Sequence, residues 1–440
     1  MRAILSGFIP RGSIILAVAS LGSYVLGLLR DRMLARSFGA SVNLDSYNAA
    51  FLVPDFVFNV LVASGIAAAA VPLFIELRQR NRRDAFAYIN AILVVSVFVM
   101  FVTGIVLALA APLLSQIIVP GFDAEARALT TRLMRIIAFS PLLFAVSNAI
   151  GAMLVAEKHW LFYSLSPIMY NLGIITGVVF LAPRFGIVGV AYGTLIGAAL
   201  HMAIRLVDAL RSDWDWKTLR PLPIRELKRT LRLMIPKMVG HPVELMTFWL
   251  FTGFASLLAP GSITVLNFAR NFQSVPVSLL GIAMSTAAFP SLAEAALASP
   301  EQLRKMFYRT AGTILAASAA AAVFVYILRR PLIQILLGGG AFGTDAVART
   351  ALTLGFFCLA IPTESLSHLF ARAFYATQNT MIPVTFSVIS FAVAGVSAYY
   401  LIGVFDIAGL PIGFFLGSFI KTVGLFIAFR RRLLRPAPSV

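Results

Sequence analysis

The length of its apolar runs limits this chain more than any other feature. Twelve blocks follow one another, at about 10–30, 44–75, 86–114, 130–156, 161–182, 186–210, 233–258, 263–293, 308–328, 349–375, 381–403 and 407–429. Each is long enough to cross a hydrocarbon core of roughly 30 Å as a helix, which satisfies its own backbone groups. Composition agrees, since 60% of residues are hydrophobic, 12% are charged and the mean hydropathy is +0.90. The expected class is an all-α polytopic membrane protein. A β-barrel is excluded, because its strands alternate rather than stay apolar for so long.

Arg2, Arg11 and an Ala17-Val18-Ala19 triplet suggest a cleaved leader, but the apolar run continues unbroken to Leu29, so the segment is expected to stay as the first span. The one cysteine, Cys358, lies inside a block and supports no disulfide framework.

Lys and Arg decide orientation, since positively charged short loops stay in the cytoplasm. With the N-terminus inside, cytoplasmic segments take most of the 36 basic residues. Among them are Arg78, Arg80, Arg82, Arg83, the stretch from Arg205 to Arg232, and the tail Arg430-Arg431-Arg432. Both termini are therefore expected inside. The net charge of +18 follows from this bias and from attraction to anionic lipid headgroups, without any nucleic acid.

Gly189, Gly193 and Gly197 in the sixth block recur as Gly409, Gly413 and Gly417 in the twelfth, each displaced by 220 residues, half of the 440-residue chain. GFDAEAR at 121–127 is echoed by AFGTDAVAR at 341–349, Pro141 by Pro362, and Pro54 and Pro72 by Pro276 and Pro290. The chain reads as two six-helix halves in tandem, 1–210 and 233–440. A cytoplasmic amphipathic linker at 211–232 joins them, carrying Asp213-Trp214-Asp215-Trp216 and then RPLPIRELKRTLR. Six is even, so both halves share one topology. Such parallel repeats are found in transporters that rock one half against the other. Glycines spaced by four also serve close helix packing.

Ionisable residues inside spans are costly, so they face a cavity or one another. Lys237, His241 and Glu244 lie at i, i+4 and i+7, and Glu364, His368 and Arg372 repeat every four residues. Each trio reads either as a neutralising ladder between helices or as a coupling site for H+ or Na+, because His titrates near neutral pH. Arg270, in NFARNFQSVP, has no acidic neighbour in sequence and precedes Pro276, where a span can open its backbone. With Lys237, it is a candidate contact for an anionic substrate. HExxH, P-loop, CxxC and GxSxG patterns are absent and the four histidines are scattered, so no catalysis, metal or cofactor is expected.

Four stretches carry a family likeness: GSYVLGLLRDRMLARSFGASVNLDSYNAAFLVPDF at 22–56, VPLF at 71–74, PGF at 120–122 and FARNFQSVPVSLLGIAMSTAAFPSL at 268–292. They resemble the MurJ (MviN) family of lipid II flippases, within the multidrug/oligosaccharidyl-lipid/polysaccharide exporter superfamily. The resemblance implies twelve transmembrane helices in two lobes, forming a V around a cationic central cavity in the bacterial inner membrane. It implies a monomer that takes the diphosphate and sugar of a polyprenyl-linked peptidoglycan precursor and carries it outward by alternating access. Arg30, Asp31 and Asp45 match family positions of functional weight. An arginine suits a diphosphate there, because its planar fork makes paired bonds to phosphate oxygens. The chain departs from the family at Tyr24, Leu52, Phe58 and Asn59, where relatives carry basic residues, and at Asn271 and Ser274. A drug exporter of the same superfamily, and outside that class a channel or membrane-embedded enzyme, are the other readings.

Overall fold

A computed structural model describes residues 11–63, 66–218, 224–240 and 242–433. Among them are eighteen α-helices and no strand. The chain divides into two compact units, Met1–Phe38 with Val42–Pro242, and Gly39–Ser41 with Val243–Val440.

The first unit is built from α1 (Arg11–Phe38), α2 (Val42–Phe58), α3 (Ile66–Arg80), α4 (Arg82–Ile118), α5 (Ala124–Ile137), α6 (Ser140–Ala156), α7 (Trp160–Thr176), the short α8 (Ala182–Phe185), α9 (Ile187–Arg211) and α10 (Ile224–Gly240). The second continues with α11 (Pro242–Ala255), α12 (Ser262–Pro276), α13 (Ala283–Ala298), α14 (Pro300–Leu336), α15 (Thr344–Phe357), α16 (Ala360–Ala376), α17 (Met381–Phe405) and α18 (Gly409–Leu433). Polar side chains start the helices at the membrane edges. Asn81 accepts from the Arg83 N–H before α4, Asp123 from Ala126 before α5, and Ser299 from Gln302 before α14. Pro141 and Pro362 sit in the first turns of α6 and α16, where a missing N–H costs nothing, and α16 leaves α15 at a bend of 44°.

Among the described residues, seven helices are long and apolar enough to cross a membrane, or eight with the bent α15–α16 pair as one span. The last of them, Met381–Arg431, has 51 residues, or about 76 Å of helix, far more than a bilayer needs. It folds back on itself, with α18 lying along α17, and so supplies two spans. The blocks at 10–30, 44–75 and 233–258 fall on α1, on α2 with α3, and on α10 with α11, and each includes residues outside the described ones.

The glycine stripes explain that fold-back and its counterpart in the first unit. A Cβ on Gly189 would come within 2.5 Å of Leu181 backbone, and one on Gly409 within 2.5 Å of Leu401 backbone. Gly197 meets the Tyr170 carbonyl at 2.4 Å and Gly417 the Ser390 carbonyl at 2.5 Å. Leu181 and Leu401, like Tyr170 and Ser390, are again 220 apart. Only glycine lets these backbones touch, so the repeat is one of backbone geometry.

The connector helix α10 belongs to the first unit and runs past residue 232. Leu227 and Met234 pack into that unit's core with Tyr88 and Phe86. Thr230 and Tyr88 share a hydroxyl hydrogen bond of 2.6 Å, and Arg229 pairs with Glu76 at 2.9 Å. Arg82 pairs with Asp213 at 2.8 Å, while Trp214 Nε1 donates to Asn90 Oδ1 at 2.9 Å. The exposed Asp215 carboxylate is held below its ordinary range, first by the Thr218 hydroxyl and then by the Lys217 and Thr218 N–H groups.

Candidate functional site

Arg30 sits eight residues before the end of α1, because the helix continues well past its apolar block to Phe38. Its Nε and Nη2 donate to Asp31 Oδ1 at 3.0 and 2.8 Å, and its Nη1 to Asn171 Oδ1 of α7 at 3.0 Å. Asn171 in turn donates to the Pro167 carbonyl at 3.1 Å. The Arg30 side chain keeps 25% of its surface accessible, while Asp31 is buried. Its guanidinium is thus aimed by one carboxylate and one amide, and a planar fork held in this way is preorganised for an oxyanion. Asp45 is buried in the first turn of α2, where the helix dipole favours a carboxylate. Tyr24, one of the departures from the family, is exposed.

Deeper in the first unit a second arginine is enclosed. Arg205 was counted with the cytoplasmic stretch, but it lies inside α9 and is 5% exposed. Its Nε donates to Ser166 Oγ at 2.8 Å, and its Nη1 to the Ser147 carbonyl at 3.0 Å and to Asn148 Oδ1 at 3.3 Å. The guanidinium lies 4.3 Å from the Tyr163 ring centroid. Gly151 leaves the room, since a Cβ there would stand 2.6 Å from Arg205 Nη1. One turn earlier His201 bonds Ser147 Oγ at 2.8 Å, and its ring packs on Phe144 at 5.0 Å. Phe144 also packs on Tyr170 at 5.1 Å, so rings fill this part of the unit.

The second unit uses the same positions differently. Adding 220 to Phe144, Ser147 and His201 gives Glu364, Ser367 and Lys421, and adding it to Tyr170 gives Ser390. All four line one cavity of about 80 Å³, together with Arg270 and Ser387. Gln273 Nε2 donates to Glu364 Oε2 at 2.7 Å. The Arg270 guanidinium stands 3.3 Å from the centroid of the Phe248 ring, a cation–π contact that orients it. Sequence reasoning singled out Arg270 and Glu364 but missed Lys421. Its displacement of 220 from His201 was the signal that pointed to it.

The described contacts of the Glu364, His368 and Arg372 trio reach two different helices, Glu364 meeting Gln273 of α12. Arg372 reaches α13 instead, with Nη2 at 3.3 Å from Thr286 Oγ1 and its guanidinium over the Phe289 ring at 5.7 Å, and it makes no ion pair among the described residues. His368 is half-buried on the same helix. Of the other trio, His241 lies outside the described residues, as do the side chains of Lys237 on α10 and Glu244 on α11.

The family model described as lipid II flippase MurJ matches residues 34–439. The lipid II flippase MurJ of Burkholderia cenocepacia is 26% identical over 436 residues, covering 95% of this chain and 83% of its own. The probable lipid II flippase MurJ of Bdellovibrio bacteriovorus is 27% identical, covering 97% and 84%. A solved lipid II flippase MurJ in an inward closed conformation superposes with a TM-score of 0.82 at 20% identity, over 95% of this chain and 87% of that one. An inward-facing multidrug resistance transporter of the MATE family gives 0.79 at 13% identity, over 96% and 98%. These structural likenesses show a shared fold.

Proposed function

This chain belongs to the MurJ family of lipid II flippases, and we infer that it moves lipid II across the bacterial inner membrane. It is a transporter and not an enzyme. The observation that carries the reading is a family match running through both units, from residue 34 to 439. The geometry that supports it is Arg30, set inside α1 by Asp31 and Asn171 with part of its fork accessible.

In our reading Arg30 bonds the diphosphate of the polyprenyl-linked sugar, and Asp31 and Asn171 position it. Transport proceeds by alternating access of two lobes, with both termini in the cytoplasm. Arg270 and Lys237 stood beside Arg30 as substrate contacts on the sequence alone. Arg270 lines a cavity of the second unit with Glu364 and Lys421, and in our reading the main contact to the diphosphate is Arg30. The coupling ion is read as H+ or Na+, with His241, Glu244, Glu364 and His368 as the titratable candidates.

The test is complementation of a strain depleted of its own lipid II flippase, together with native mass spectrometry of the purified protein for bound polyprenyl diphosphate. The wild-type chain is expected to restore growth and carry the lipid. Arg30→Ala should insert normally yet fail at both, because it removes a charge-assisted contact and no packing group. Normal growth on Arg30→Ala alone would remove Arg30 from the site, and failure of the wild type to complement would remove the lipid II reading.

A further inference from the structure

The stretch of α4 from Ala85 to Ile92 is buried residue for residue. The connector supplies part of its cover. Thr230 shares a hydroxyl bond with Tyr88, Trp214 and the Asp215 and Thr218 carbonyls engage Asn90, and Leu227 and Met234 pack on the same core. The matching stretch of α14, 220 residues on, leaves Lys305, Tyr308, Arg309 and Gly312 exposed. Beside it an open groove of about 370 Å³ runs between α14, α16 and α18. We propose that this groove binds one anionic phospholipid, an acyl chain lying along it and Arg304 and Arg430 meeting the phosphate. The proposal does not depend on lipid II being the substrate.

Shape comes first. Phe307 and Phe370 form the floor, their rings 4.8 Å apart, while Tyr308, Leu315 and Val423 stand exposed at the rim. A Cβ on Gly312 would meet nothing within 4 Å, so the groove stays open where the first unit has buried Ile92. Both α14 and the α17–α18 hairpin are apolar enough to span a membrane, which makes lipid tails the solvent of this face. Such tails are as apolar as leucine, so the groove alone selects no particular lipid.

Charge makes the selection. Arg304 precedes Phe307 and Tyr308 by one turn of α14, and Arg430 follows Phe426 by one turn of α18, its guanidinium 5.8 Å from that ring. Phe307 packs on Phe429 at 4.3 Å, so the start of α14 and the end of α18 lie together and both cations belong to one end of the groove. Glu301, three residues before Arg304, pairs with neither among the described residues. Where the second unit has Arg304, Lys305, Arg309 and Arg430, the first has Asp84, Ala85, Ile89 and Leu210. The cations thus accompany the face that the connector does not cover. A second copy of this face, or the chain's own Arg431, Arg432 and Arg435, would bring like charge against it. A phospholipid brings a chain for the groove and a phosphate that suits the arginine fork.

The full chain, purified in detergent and stripped of lipid, is titrated with phosphatidylglycerol and with phosphatidylcholine of equal chain length, and native mass spectrometry reads the first lipid bound. Phosphatidylglycerol is expected to bind at least tenfold tighter. Arg304→Gln combined with Arg430→Gln should weaken it about tenfold or more and leave phosphatidylcholine unchanged. Gly312→Ile recreates Ile92, fills the groove with every charge in place, and should also weaken phosphatidylglycerol about tenfold. It reports on the site even if the double arginine variant fails to fold. Equal affinities for the two lipids, or phosphatidylglycerol binding unchanged in either variant, would overturn the proposal. So would a bound polyprenyl diphosphate that Gly312→Ile displaces, since that gives the groove to the cargo. None of these readouts uses complementation or Arg30, so a negative result leaves the transport reading standing.

Discussion

In the first unit Phe144, Tyr170 and His201 meet ring to ring, at 5.1 and 5.0 Å, in the place where the second unit has Glu364, Ser390 and Lys421 around an opening of about 80 Å³. The two halves share the glycine contacts at 189 and 409 and at 197 and 417, while the side chains around them differ. One level deeper the contrast reverses. The first unit encloses Arg205 beside Gly151, while the positions 220 further on are Leu425, fully buried, and Ala371. At these repeat positions the first unit carries its fixed charge at Arg205, and the second carries it at Glu364 and Lys421. A tandem repeat fixes where helices touch, and leaves open which layer is polar.

The harshest way to break this comparison is to give the first unit the second unit's charges. Phe144→Glu combined with His201→Lys puts two ions into a filled interior, at a cost of several kcal/mol for each. We expect the double variant to lose its monodisperse peak in size-exclusion chromatography. A peak and unfolding temperature equal to wild type would show that the ring cluster is looser than its packing distances imply.

A milder exchange sharpens the second layer. Gly151→Ala drives a methyl to 2.6 Å from Arg205 Nη1 and forces the guanidinium off its acceptors. Leaving part of a buried charge unsatisfied should cost about 2–3 kcal/mol, read as a lower denaturation midpoint. Adding Arg205→Leu recreates the Ala371 and Leu425 pair of the other half, and should recover most of the loss. No recovery would place the clash on Tyr163, which the same methyl approaches to 3.2 Å.

The smallest effect is expected from Tyr47→Phe. Tyr47 and Thr194 share a buried hydroxyl bond of 2.8 Å, and the residue 220 beyond Thr194 is Phe414, which instead packs on Phe248 at 5.3 Å. Removing one neutral hydrogen bond should cost about 1 kcal/mol. Denaturation of wild type and variant side by side checks it, and a cost of several kcal/mol would mean that this bond ties the two helices together.

The helical class and the tandem halves were legible in the sequence because both rest on backbone demands. A membrane helix needs a run of a set length, and a backbone contact needs glycine at every fourth position. The Arg30 and Asp31 pair was legible for a related reason, since charges interrupting an apolar run stand out. The convergence of Arg270, Glu364 and Lys421 was not, because it depends on which helices lie side by side. The burial of Arg205 was not legible either, because charge counting along the chain cannot anticipate a guanidinium solvated by Ser166, Asn148 and a carbonyl. At Glu364, His368 and Arg372 a spacing of four spreads the side chains around the helix. Each step of four turns the helix face by about 40°, so the outer two point roughly 80° apart and find different neighbours.

The touching backbones at Gly189, Gly197, Gly409 and Gly417 also bear on how such a chain can accumulate change. One residue inserted or deleted in α9 or α18 would rotate everything beyond it by about 100° and carry the glycines away from their partners. Exchanges such as phenylalanine for glutamate at 144 and 364 leave those contacts untouched. Innovation in these hairpins is thus confined to point substitution, and a coding change that alters their length is closed to them.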